Sequence, residues 1–208
     1  MILNMFLHLK AFFGISSSLF VLIGGIPYLK DIHERRVRPH VLSWTGWAFT
    51  TALGGSAMFA SGSTWATAIL FANTALCVSI AGYSIVRKVG VWSTGPQDAI
   101  FFGLGILGLV LWQVLNEPVI ALIFAILADL FFGLPTIIKT YKDPSSETPF
   151  AWAMASLSGL LSLFALRNFA FSEAAYPTYL FIYDSIVLLL VLKLFTRRKK
   201  IKGDLVPP

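Results

Sequence analysis

The sequence predicts an all-α membrane protein of seven transmembrane helices, built as two parallel three-helix repeats joined by a linker helix (3+1+3). Three observations predict it. The 208 residues are 57% hydrophobic and 12% charged, with a mean hydropathy of +0.78. A soluble domain carries roughly 25% charged residues, so this chain lacks the charge to cover a water-facing surface. Its uncharged runs have the length that crosses a hydrocarbon core about 30 Å thick. They are continuous, unlike the alternating segments of a barrel, which leaves helices as the structure that satisfies the backbone in lipid. Finally, a Gly-x-Pro…Trp pattern recurs at an offset of 108 residues.

Taken in order, residues 1–10 read as an outside lead-in. A signal peptide places its positive charge ahead of the apolar run. Here Lys10 follows it, so no cleaved signal is expected. The spans fall at 11–30, 41–61, 64–87, 97–116, 118–140, 149–168 and 178–196. The first repeat covers 11–90, linker helix 4 lies in 91–117, the second repeat covers 118–196, and 197–208 form a basic tail. Connections as short as Gly62-Ser63 and Glu117-Pro118 make hairpins of neighbouring helices. Pro118 and Pro149 suit first-turn positions, where the missing N–H costs nothing. The alternative is six spans, with 149–168 in the interface.

Charge decides between six and seven. Laid out as seven spans, 14 of the 16 Lys and Arg residues fall on one side, leaving only Lys10 and Arg167 on the other. Under the positive-inside rule the N-terminus is outside and the tail cytoplasmic, in a plasma (inner) membrane. Six spans would put the basic tail opposite the basic loops. Gly25, Pro27 and Trp44 pair without a gap with Gly133, Pro135 and Trp152. Three spans per repeat plus one linker give both copies the same orientation, so the repeats are parallel about an axis along the membrane normal.

A Gly-x-Pro near the inner end of a span, a short polar loop, a Trp at the start of the next span and the 3+1+3 layout together resemble the PQ-loop superfamily. Within it the chain is most similar to the SWEET and SemiSWEET sugar transporters. The Pro-Gln dipeptide of that family stands here as Pro27-Tyr28 and Pro135-Thr136. The resemblance implies a small polar, sugar-like solute moved by alternating access between two three-helix bundles. Gly25, Pro27, Gly133 and Pro135 would form the hinges of an inner gate. PnuC-type vitamin transporters share the layout and a Trp-x-x-Trp motif, which Trp44 and Trp47 match in spacing, so a vitamin or nucleoside is the rival solute class.

Polar groups inside a span are functional candidates by default. Asn73 lies near the middle of span 3 and Asp184 in the outer half of span 7, the repeat partner of span 3. SWEET-like transporters bind sugar with an asparagine pair on these two helices, so the resemblance assigns Asn73 and Asp184 to the solute. An amide and a carboxylate together suit a polyol or a cation. Asp129, mid-span 5, heads a weakly polar face through Gly133, Thr136 and Thr140 and is the candidate proton carrier. Trp44, Trp47 and Trp152 read either as an interfacial belt or as an aromatic wall able to stack on a solute ring. Gly46, Thr50, Gly54 and Ala57 read as a close-packing stripe.

No enzyme, metal or cofactor signature is expected: the histidines are scattered, and no catalytic triad or phosphate-cradling glycine loop is present. Lys193, considered as a retinal-binding lysine, reads instead as a snorkelling flank residue. The implied partners are a small-molecule solute, the lipid bilayer and, as an open alternative, further copies in a homo-oligomer, but not nucleic acid. A non-transporting receptor or scaffold on the same fold is the alternative from a different functional class.

Overall fold

The computed structural model describes residues 2–60, 62–92, 96–114 and 118–203, with side chains at fewer positions around residues 97–121 and only up to residue 192 at the C-terminal end. The described residues form seven α-helices: α1 (Ile2–His33), α2 (Val41–Ala60), α3 (Ala68–Arg87), α4 (Pro96–Val114), α5 (Pro118–Lys142), α6 (Pro149–Phe164) and α7 (Phe171–Gly203). Short 3₁₀ turns sit at Trp65–Thr67 and Pro144–Ser146. Among the described residues there is no strand, only an isolated bridge between His40 and Val91.

Among the described residues four segments are long and apolar enough to cross a bilayer: Met5–His33, Trp65–Arg87, Leu122–Lys142 and Phe171–Leu192; α6 is apolar but shorter. These lengths fit a multi-pass membrane protein. α2 spans 20 residues yet is less apolar, because Ser43, Trp44, Thr50 and Thr51 turn their polar groups inward and are buried there. The helix starts at Pro118 and Pro149 fall where the sequence places them.

Three boundaries differ most from the sequence reading. Residues 2–10 are not a separate lead-in but the first turns of α1. They hold no Gly or Pro and are rich in Leu and Met, which favour helix. α7 begins at Phe171, not 178, and carries Pro177 inside it. A membrane helix tolerates an internal proline, because packed neighbours can satisfy the carbonyl it frees. The same helix continues to Gly203, through the start of the segment read as a tail.

The helices close a ring by contact, in the order α1, α3, α2, α5, α7, α6 and back to α1, with α4 against the outside of α5. Small residues permit the close approaches that lipid alone would not drive. A Cβ on Gly46 would fall 2.2 Å from the Phe132 ring (α2 on α5), and one on Gly159 would fall 2.8 Å from the Phe181 backbone (α6 on α7).

The connections gather at two ends of the ring. At one end Val91 N donates to Pro39 O (2.8 Å), Arg38 N to Ser146 O (3.2 Å) and Thr148 Oγ1 to Asp31 Oδ2 (2.7 Å), so the first, third and fifth connections meet. At the other end Lys10 Nζ donates to Arg167 O (2.9 Å), and the Arg167 guanidinium lies beside Gly62. The two bases set apart by charge counting are therefore neighbours. Two packed layers separate these ends. One gathers Tyr28, Ile32, Trp44 and Trp152; the other gathers Met58, Leu70, Leu122 and Tyr176.

Candidate functional site

Within the layer that holds Tyr28, Trp44 and Trp152 the ring lines a small central cavity of about 50 Å³. Each of the six ring helices contributes to its lining. Seven residues singled out in the sequence reach it: Gly25 from α1, Trp44 and Trp47 from α2, Asn73 from α3, Asp129 from α5, Trp152 from α6 and Asp184 from α7. Pro27, Gly133 and Pro135 are not part of the lining; they lie within or behind the helices that form it. The prolines sit inside α1 and α5, which continue helically past them.

Asn73 and Asp184 share one property. Neither side chain has a hydrogen-bond or ion-pair partner among the described residues, although Asp184 is only 8% exposed. Buried polar groups are nearly always paired. An amide and a carboxylate left open toward one cavity therefore have their donors and acceptors free for something that enters it.

Asp129 is the opposite case. It is 1% exposed. Its Oδ1 accepts from Tyr176 Oη (2.9 Å) and from Thr50 Oγ1, and its Oδ2 accepts from Tyr179 Oη (2.8 Å). Trp47 Nε1 donates to the Asp129 carbonyl (3.1 Å). One carboxylate thus gathers donors from α2 and α7 onto α5. The polar face expected around Asp129 is indeed turned inward: Thr136 and Thr140 are fully buried.

The three tryptophans do not form a lipid-facing belt. Trp44, Trp47 and Trp152 are 7%, 6% and 4% exposed, because they project into the ring, not out of it. The matched pair Trp44 and Trp152 has ring centroids 6.2 Å apart, and Trp47 meets Tyr183 edge-on at 5.5 Å. The aromatic column continues through Tyr183 to Tyr179 and Tyr176, with centroid steps of 5.9 Å each. It links the cavity wall to the donors of Asp129.

Below the tryptophans lies a latch that the sequence reading passed over. Glu147, 2% exposed, accepts at Oε2 from Tyr28 Oη (2.8 Å) and Trp152 Nε1 (2.9 Å), and pairs through Oε1 with Lys139. Lys139 Nζ also donates to Arg38 O (2.5 Å). The latch ties α1 and the first connection to α5, the fifth connection and α6.

Tyr28, the residue after Pro27, was not among the candidates, yet its hydroxyl donates to Glu147. Tyr176, Tyr179 and Tyr183 were also missed, although their three- and four-residue spacing places them on one helix face. Thr50 was read as packing only, yet its hydroxyl reaches Asp129. Cross-chain pairs such as these, 79 and 119 positions apart, leave no local trace. No family model, curated protein or solved structure matches this chain.

Proposed function

We propose that this chain is a membrane transporter that moves a small polar solute through the central cavity by alternating access. The observation that carries the reading is the open pair Asn73 and Asp184, facing a cavity inside a ring of apolar helices. A structural polar pair would bond to its neighbours. Keeping the buried Asp184 without a partner is costly, and a solute with hydroxyl, amide or charged groups answers it together with the half-buried Asn73.

The moving parts in this reading are two bundles, α1–α3 and α5–α7, with α4 as the linker. The ring order supports it, since exchanging α1 with α5, α2 with α6 and α3 with α7 maps the ring onto itself. The bundles meet along α1–α6 and α2–α5, where rocking would open either end. Pro27 and Pro135 free a carbonyl in α1 and α5 and serve as hinges. The Glu147 latch holds the basic-loop end closed, and that end faces the cytoplasm by the positive-inside rule.

Asp129 is the coupling candidate. As a carboxylate it accepts from three hydroxyls. A proton on either oxygen makes that oxygen a donor, so a hydroxyl from α2 or α7 must turn to accept from it or lose its bond. Proton binding would then loosen the contact on which the bundles turn.

The test is uptake by liposomes holding the purified chain, with hexoses, polyols, nucleosides, ring-shaped vitamins and small organic amines as candidate solutes, with and without a pH gradient. Uptake of at least one class, lost in Asn73→Ala with Asp184→Ala, is expected. Folded protein that carries none of them contradicts the reading. Asp129→Asn should leave binding in place and abolish the dependence of uptake on the gradient; a preserved dependence removes Asp129 from the coupling role.

A further inference from the structure

The charge in the cavity is one-sided. Its lining holds two carboxylates, Asp129 and Asp184, and no Lys, Arg or His. Three hydroxyls answer Asp129. Nothing among the described residues answers Asp184, which is nine-tenths buried. An unpaired carboxylate taken out of water is far more costly than an unpaired hydroxyl or amide. A neutral sugar answers such a group only in its protonated form, whereas a cation answers the carboxylate itself.

The walls favour the same answer. Trp44, Trp47, Trp152 and Tyr183 line the cavity together, with ring centroids 5.1 to 6.4 Å apart. The face of an indole attracts a cation, most strongly where water is excluded, and clustered aromatic faces are how quaternary ammonium groups are held. A polyol stacks on one such ring; it has no need of several around a carboxylate.

We infer that the solute is a compact organic cation, an amine or quaternary ammonium whose charge is held by Asp184 and the indole faces, while Asn73 orients a hydroxyl or carbonyl elsewhere on it. The inference rests on reading this cavity as the transport site and names the solute class for it.

The test compares charged probes with uncharged ones of the same shape. The full chain in detergent is titrated with choline against its carbon isostere dimethylbutanol, and with N-methylpyridinium against toluene, following tryptophan fluorescence. Each cation should bind about tenfold or more tightly than its isostere, and Asp184→Asn should erase that preference while Asp184→Glu retains most of it. Equal affinity within both pairs, binding by none of the four, or a preference that survives Asp184→Asn overturns the inference. The comparison within the wild-type chain stands even if the Asn variant fails to fold. Sugar uptake without cation binding would keep the transporter and remove the cation; cation binding without uptake of any solute would do the reverse.

Discussion

Asp129 shows how one side chain can organise three helices. Its donors come from α2 and α7, so removing any one of them should weaken the same junction. Thr50→Val, Tyr176→Phe and Tyr179→Phe are each expected to cost about 1–2 kcal/mol, since hydrogen bonds to charged acceptors exceed neutral ones while those between membrane helices run lower. The check is a thermal melting series in detergent. In the Asp129→Leu background the same substitutions should cost much less, because their partner is gone; additive losses would mean that the bonds matter little. At this scale the sequence disclosed the acceptors but not the donors. Asp129, Asp184 and Asn73 stand out as polar groups in apolar runs. Tyr28, Thr50 and Tyr179 do not, because a tyrosine or threonine is unremarked in a membrane helix until a partner far along the chain faces it.

At the scale of helices, small residues set the packing. Gly54 lets the Tyr176 ring approach α2; a Cβ there would fall 2.5 Å from it. Gly54→Leu should therefore displace Tyr176 from Asp129 and destabilise by about 1–3 kcal/mol, the usual cost of overpacking. Gly82 in α3 has nothing within 4 Å of its added Cβ, so Gly82→Ala should be neutral or mildly stabilising through helix propensity. Melting of the two variants side by side checks the pair, and equal losses would contradict the packing described. Most element starts were legible, because Pro118 and Pro149 mark them chemically. The start of α7 was not: the span was read from 178, but the helix begins at Phe171 and carries Pro177 inside it. The start of α1 was hidden for another reason, since Lys10 looked like a flank yet reaches across to the Arg167 carbonyl.

For the whole molecule, an all-helical chain with apolar segments of membrane-crossing length follows from the composition and run lengths the sequence carries. What it could not carry is how the ends are closed. Glu147 lies in a short polar loop and looks like a solvated charge, but it is buried against Tyr28, Trp152 and Lys139. Breaking such a pair by removing one partner typically costs about 3–5 kcal/mol. Glu147→Ala should lower the melting temperature and bias the bundles toward opening at that end. The chain's single cysteine supplies the direct test of the central claim. Cys77 lines the cavity and is 3% exposed. In vesicles of uniform orientation, a membrane-impermeant methanethiosulfonate is applied from outside or trapped inside, and labelling of Cys77 is followed in each case. A cavity that opens alternately to the two sides predicts labelling from both, with Glu147→Ala raising the rate from the basic-loop side. Labelling from one side only, or from neither, would contradict alternating access.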